Sequence, residues 1–387
     1  MPLPSGLASS PAEGPRELVH RAIAAPSLIA HVLMQKYGMG LPFYRREERF
    51  ACDCVPLDRG TMCRYAEEVG AGLGTIVMAM AKEAMETAFC LKADATGVAI
   101  QPTPLADKSR QACRRGHFFV VLADKDHIFF EYQARHTSEA VCEMFRGYGG
   151  YVQADASAVF DTLYRGDAVP AGAKAPVEVG CLAHARRKFW EAAVCKHHVG
   201  LEGLFRLRMI FEYEAQWQEL APDKRLQMRK VQLTPLLNAF FHWCRAEFEK
   251  EKAVRGLVAS ALGYAVRHEA AFRRVLHDGR LRLDNNPSER ALRTIATGRK
   301  ARLFFGSDDH ASAAANLFSL IASCKLHAIE PERYLAEVIR ILPQWPLKRH
   351  LELSPKYWAA TRARLSPDEL GLPLGRITMP EPAVTPE

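Results

Sequence analysis

Leu91-Lys92-Ala93-Asp94, followed by Val98-Ala99-Ile100, is the stretch on which the fold turns. An apolar run bearing a single carboxylate reads as a strand. Two further strands, 117–122 and 127–132, are joined by Ala123-Asp124-Lys125-Asp126, a hairpin turn. Ser138 caps a helix that runs to about residue 145, and Gly149-Gly150 breaks into a fourth strand, 151–154, ending at Asp155. A helix at 157–164 and a fifth strand at 177–181 complete the block. Three strands, helix, strand, helix, strand is the order of an α/β fold with a mixed sheet and flanking helices.

On the N-terminal side, residues 1–26 are rich in Pro, Gly, Ser and Ala and read as a loose arm. From Ser27 the pattern is helical, with Leu28, Val32 and Leu33 on one face and a stop at Gly38-Met39-Gly40. A short helix fits 44–50, and Asp58 is the expected N-cap of another at 59–69, before a longer one at 73–88. Short helices with tight turns resemble a helix-turn-helix unit that presents Arg59, Thr61 and Arg64 to DNA. A helical subdomain that only packs is the equal alternative.

After His184 the chain reads as helical almost to its end, and 184–278 looks like an insertion, with Pro235 as a break point. Asp284-Asn285-Asn286-Pro287-Ser288-Glu289-Arg290 opens a further helix, with Asn285 or Asn286 as N-cap and Pro287 in its first turn. Helices at 311–326 and 331–341 close the fold, and a Pro-rich tail from Ser366 is expected to be mobile. The expected divisions are an arm (1–26), a helical region (27–89), a first core part (90–189), the insertion (190–278), a second core part (279–345) and an extension (346–387).

Length and composition bound the rest. The 387 residues suffice for two or three domains at roughly 150 residues each. With 48% hydrophobic and 25% charged residues, disorder as a class is excluded. No uncharged apolar stretch is long enough for a membrane span, and the start has no apolar core of a signal peptide. The ten cysteines show no CxxC pair and no disulfide-scaffold spacing, so reduced thiols in a cytoplasm are expected. The net charge is +8, and between 254 and 302 eleven Lys or Arg face four acids, so that +7 of it sits around Glu289. A basic segment of that density suits phosphates.

Three carboxylates stand out by location: Asp94 in the first strand, Asp155 at the end of the fourth, and Glu289 on the helix after the insertion. Two neighbouring strands and one packed helix can converge them. Clustered carboxylates repel and call for cations, and an oxygen donor set suits Mg²⁺ or Mn²⁺. Two such ions about 4 Å apart serve phosphoryl transfer. Any one of these acids taken alone is more simply a solvated surface group or a cap.

The ordered segments raise that reading. His31-Val32-Leu33-Met34-Gln35-Lys36-Tyr37 and Leu41-Pro42-Phe43-Tyr44-Arg45-Arg46-Glu47-Glu48-Arg49-Phe50 come first. Ala93-Asp94, Val152-Gln153-Ala154-Asp155 and Cys181-Leu182-Ala183-His184-Ala185-Arg186-Arg187-Lys188-Phe189 follow. Asp278-Gly279-Arg280-Leu281, the 284–293 run, Gly298-Arg299-Lys300 and Phe305-Gly306-Ser307-Asp308 close the set. From about residue 15 to 350 the chain resembles the transposases of the insertion sequence 66 family. The resemblance implies a DDE transposase with an RNase H-like core and the triad Asp94, Asp155 and Glu289. It also implies two Mg²⁺ or Mn²⁺ ions, transposon-end and target DNA as partners, and a bacterial, nucleoid-associated location. The reaction implies at least a dimer, and accessory proteins of the same element are further candidate partners.

Around the triad, His184 supports the site or contacts DNA, and Arg186, Arg187 and Lys188 bind phosphates or form a solvated face. Asn286, Arg290, Arg293, Arg299 and Lys300 are the remaining candidate DNA contacts. Glu289 and Arg293, four apart on a helix, could pair. Cys181 and His184 with Cys195, His197 and His198 fit no zinc-finger spacing well, so zinc is not expected. The run Asp94-Ala95-Thr96-Gly97 departs from the family's acidic residue and Thr-Pro after the first Asp, and Ala301-Arg302 replaces its Asn-Trp. Family members are also longer at the front, with a coiled coil and a Cys-rich segment, so end recognition or multimerisation is expected to be weakened or supplied by another protein. The competing expectation is a shortened, transposition-inactive DNA-binding relic or regulator.

Overall fold

A computed structural model describes residues 17–20, 22–102, 111–155, 157–167, 169, 174–195, 197–253 and 255–382. The expected arm therefore lies outside the described residues up to 16. From Glu17 the chain packs, with Val19 buried.

The helices α1 (Pro26–Leu33), α2 (Phe43–Cys52) and α3 (Arg59–Thr87) precede the strands β1 (Cys90–Ile100), β2 (Arg114–Ala123) and β3 (His127–Gln133). Then come α4 (Ser138–Met144), β4 (Tyr151–Gln153), α5 (Asp161–Arg165) and β5 (Val177–Val179). The sheet has the order β3-β2-β1-β4-β5, antiparallel across the first three strands and parallel from β1 through β4 to β5. It is the expected mixed sheet, with the stretch around Asp94 in its central strand.

The helical half follows as α6 (Leu182–Val194), α7 (His198–Ala215), α8 (Pro222–Met228), α9 (Thr234–Glu251), α10 (Leu257–Arg267) and α11 (Glu269–Arg273). Between α8 and α9 the expected break at Pro235 is a π-helical turn, Arg229–Leu233, with the proline in the first turn of α9, where its missing N–H costs nothing. The chain closes with α12 (Asn286–Arg302), α13 (Asp308–Leu326), α14 (Pro331–Ile341), α15 (Pro355–Arg362) and α16 (Pro367–Gly371). No described helix is long and apolar enough to cross a membrane, and all ten cysteines are free thiols.

Two apolar cores result. One joins α1, α3, α13 and α14 to the sheet, and the other gathers α6, α7, α9 and α10 around Cys90 and Val179. The outer edge of β3 is closed by α13: the backbone N–H groups of Ile128 and Phe130 donate to Ser323 Oγ (3.0 Å) and Ser319 Oγ (2.8 Å). Hydroxyls thus satisfy an edge that would otherwise invite another strand.

Two expectations need correction. Arg59–Thr87 is one continuous 29-residue helix rather than two, although it contains Gly70, Gly72 and Gly74. These glycines admit close packing instead of ending the helix. A Cβ on Gly70 would lie 2.4 Å from the carbonyl oxygen of Ala313, and Asn316 donates from Nδ2 to Gly70 O at 2.9 Å. The 59–69 segment is therefore not a separate short helix of a three-helix unit. The tail from Ser366 is also anchored as far as it is described: Ser366 caps α16, Gln344 donates to Gly375 O at 3.1 Å, and Ile377 is buried.

Gly70→Ala would gain about 1 kcal/mol in a solvated helix. Here it is expected to destabilise by about 1–3 kcal/mol through the clash with α13, seen as a lower urea midpoint. An unchanged or raised midpoint contradicts the contact.

Candidate functional site

Side chains alternate along β1, so Cys90, Lys92, Asp94, Thr96 and Val98 share one face. The helical insertion packs at the Cys90 end of that face. At the other end α12 lies along β1, where Val98 lines a small recess with Ile295 and Arg299. Arg299 donates to Thr96 Oγ1. Asp94 sits in the gap between these two coverings.

Parallel pairing brings in the second acid. Lys92 is level with Gln153, and the same register continued past the end of β4 sets Asp94 level with Asp155. The third arrives through α12. The Asn285 side chain donates from Nδ2 to the carbonyl of Ala93 (2.7 Å) and accepts from Ser288 Oγ (2.7 Å). The Asn285 N–H donates to Cys181 Sγ (3.2 Å), and Leu182 N–H donates to Leu283 O (2.8 Å). Gln153 donates from Nε2 to the carbonyls of Gly180 (3.2 Å) and Arg282 (2.8 Å). These bonds fix the start of α12 beside Asp94, with Glu289 in its first turn. Asn285 is thus the helix-flanking residue, and its side chain braces β1 rather than capping the helix backbone.

Asp94 Oδ1 accepts from the Ala95 N–H at 2.8 Å. Burial, with a further push from the charges of Asp155 and Glu289, outweighs that bond and raises its carboxyl to about 7. The three acids are therefore close enough to repel. They are unequal: Asp94 and Asp155 are half-buried, and Glu289 is exposed. Burial lowers the neighbouring Lys92 ammonium to about 8.

His184, in the first turn of α6, places Nε2 3.7 Å from Glu289 Oε1, and its Nδ1 is buried without a partner. Glu289 pairs with this histidine and not with Arg293. Cys181, His184 and Glu289 form the one group of three metal-ligating side chains among the described residues whose ligand atoms lie within 4.8 Å of one another. The Cys181 thiol is pushed up to about 11 by burial. Cys195 is exposed, and His197 stacks on His198 at 4.9 Å between ring centroids, so these three stand outside that group.

The cationic candidates divide. Arg186 and Arg187 line a cleft of about 470 Å³ together with His184, Asn286 and Glu289. Arg290 and Arg293 are exposed on α12 near Glu289. Lys188 turns away, its ammonium 5.0 Å from the Tyr264 ring. The Lys300 side chain lies outside the described residues. Arg59 and Arg64 engage α2, the segment before α1 and their own helix, through Glu47 (3.7 Å), His20 O (3.1 Å) and Glu68 (3.8 Å), and are not brought to the carboxylates.

One positioning pair carries no local signal in the sequence. Arg229, fully buried, donates to both carboxylate oxygens of Glu214 (2.9 and 2.5 Å) and to the carbonyls of Val275 (2.9 Å), Asp278 (3.1 Å) and Leu281 (2.8 Å). Gly279 lies against Pro222, where a Cβ would approach the carbonyl oxygen to 1.9 Å. The insertion thereby clamps the strap that leads into α12. Fifteen residues separate the partners on different helices, so no local pattern marked them.

The site is a set of carboxylates, one within the central strand, one just past the end of the parallel strand beside it and one in the first turn of α12, flanked by arginines. Residues 21–313 match the model of the Transposase IS66 family, and residues 319–355 match the IS66 C-terminal element. The chain belongs to this family. It is similar to Uncharacterized protein y4hP of Sinorhizobium fredii (strain NBRC 101917 / NGR234), 29% identical over 384 residues. Uncharacterized protein y4qI of the same organism is 24% identical over 369 residues. The alignments cover 92% of this chain and 66% of each relative, so the chain spans just under two thirds of their length.

Glu214→Ala leaves a buried guanidinium uncompensated and is expected to cost about 3–5 kcal/mol in chemical denaturation. A loss under about 1 kcal/mol would show that the clamp is dispensable.

Proposed function

We propose that the chain is the catalytic portion of a DDE transposase with an RNase H-like core, which nicks transposon ends and joins the freed 3′-hydroxyl to target DNA. The observation that carries this reading is geometric: the parallel register sets Asp155 level with Asp94, and the Asn285 bond to Ala93 fixes the first turn of α12, with Glu289, beside them. Family membership and the cationic cleft support it.

The donor set fits a divalent metal: three carboxylates offer hard oxygen ligands, and their mutual repulsion at Asp94 is what a cation relieves. Asp94, Asp155 and Glu289 would hold Mg²⁺ or Mn²⁺. The chemistry supplied by two such ions is activation of a water or 3′-hydroxyl and stabilisation of the leaving oxygen. The chain's own residues do the rest. Arg186, Arg187, Arg290 and Arg293 hold backbone phosphates, Asn286 borders the cleft, and His184 orients Glu289 from 3.7 Å. Arg59 and Arg64 at the start of α3 offer an outlying DNA contact. Synapsis of two ends brings together two copies of the chain.

With Mg²⁺ and a labelled end-containing DNA, Asp94→Asn, Asp155→Asn and Glu289→Gln are each expected to lower nicking by about 10³-fold or more, with DNA binding retained. Equal nicking by all three variants rejects the reading, and wild-type binding without nicking favours a transposition-inactive DNA-binding protein.

The raised Asp94 carboxyl has a pH signature in the metal-free protein. The folded state holds this proton more tightly than the unfolded chain does. Its contribution to stability is complete below about pH 3.8, declines as pH rises, and is gone above about 7. Asp94→Asn is therefore expected to stabilise the metal-free protein at pH 8 by up to about 4 kcal/mol, and to have little effect near pH 4. Destabilisation at pH 8 would contradict the repulsion.

A further inference from the structure

Among the five tryptophans, Trp190 alone is largely exposed, at 57%. Trp217, Trp345 and Trp358 are buried, and Trp243 packs against Phe189 and Phe240. An indole open to water gains nothing for the core. Its position is specific: Trp190 lines the same cleft as His184, Arg186, Arg187, Asn286 and Glu289.

The helix explains the alignment. His184, Arg187 and Trp190 succeed one another at intervals of three residues, and Arg186 lies four before Trp190, so all share one side of α6. Six residues separate His184 from Trp190, about 9 Å along the axis. At a stacked rise of about 3.4 Å per nucleotide, that is the length of two or three nucleotides. Arg187 lines the cleft, 75% exposed and paired with Glu191 at 3.4 Å. Arg186 lies over the Phe211 ring at 4.9 Å.

We propose that Trp190 is a stacking platform for an unpaired DNA base, two or three nucleotides from the His184 end of the cleft where the carboxylate site lies, with Arg186 and Arg187 taking the adjoining phosphates. A base inside a duplex has no free face for the indole, whereas a frayed or extruded base does. Stacking on an aromatic ring is tolerant of sequence and is strengthened by neighbouring arginines. The proposal rests on the DNA-cleaving reading and assigns the cleft its substrate form: a strand locally opened at the cleavage site.

The test uses the full chain carrying Asp94→Asn, so that DNA stays intact, with a single-stranded 12-mer of dT and a blunt duplex of equal length as probes. The single strand is expected to quench the exposed indole's fluorescence, and the blunt duplex is not. By fluorescence anisotropy, Trp190→Ala is expected to weaken single-strand binding about tenfold and duplex binding less than twofold, with Trp190→Phe close to the parent. The exposed position leaves the melting temperature unchanged in both variants. Equal losses on both probes, or none on either, overturn the stacking role. Nicking of end-containing DNA by Trp190→Ala with aspartate restored at 94 separates the two readings. Full-rate nicking rejects the platform and leaves the cleavage site standing. Quenching by the single strand in a chain whose wild type never nicks rejects the cleavage reading on which the proposal rests.

Discussion

The Asn285 side chain joins the parts of the molecule that the sequence keeps far apart. It donates to the backbone of Ala93, next to Asp94, and accepts from Ser288, next to Glu289, while its own N–H reaches Cys181 at the start of α6. Asn285 is fully buried, so these bonds are made away from competing water and would be costly to lose. Through this residue the central strand, the helix that carries the third acid and the helix that carries His184 share one reference point. Gln153 adds β4 to it by reaching the carbonyls of Gly180 and Arg282.

That framework holds like charges together. Asp94 is half-buried in a strand, where desolvation and two other carboxylates oppose its ionisation. Such an arrangement is destabilising in isolation and is retained where a cation or a substrate makes use of it. The insertion contributes by rigidity: the Arg229–Glu214 pair grips the strap before Asp284 by three carbonyls, so the long excursion between Asp155 and Glu289 returns to one place. Arg299 and Thr96 fasten the far end of α12 to the same strand that carries Asp94.

Much of this was legible in the residues. The alternation around Asp94, the hairpin at 123–126 and the Gly149-Gly150 break give the strands in order, because strand periodicity and turn chemistry are local signals. Asp94, Asp155 and Glu289 stand out by position, within the first strand, at the end of the fourth and on the helix after the insertion. The continuity of α3 was not legible, since its glycines serve contacts with Ala313 and Asn316, more than two hundred residues away. Nor was the anchoring of the tail, whose Pro-rich composition resembles that of mobile segments although Gln344 and Arg349 hold its carbonyls. The buried Arg229 looked like any other arginine on an amphipathic helix. Its depth depends on how the insertion helices pack. Lys92 carried a readable signal, a lysine two residues before the acid in an apolar strand, whereas the exposure of Trp190 on a helix with a buried opposite face did not declare itself.

On the proposed function, Asp94, Asp155 and Glu289 together hold a divalent cation. Electron paramagnetic resonance of Mn²⁺ titrated into the purified protein tests it most directly. The expected result is saturable binding in the wild type that Asp94→Asn and Asp155→Asn abolish and that Cys181→Ala preserves. Binding unchanged by both aspartate substitutions but removed by Cys181→Ala would place the metal at the Cys181–His184 side of Glu289 and contradict the account.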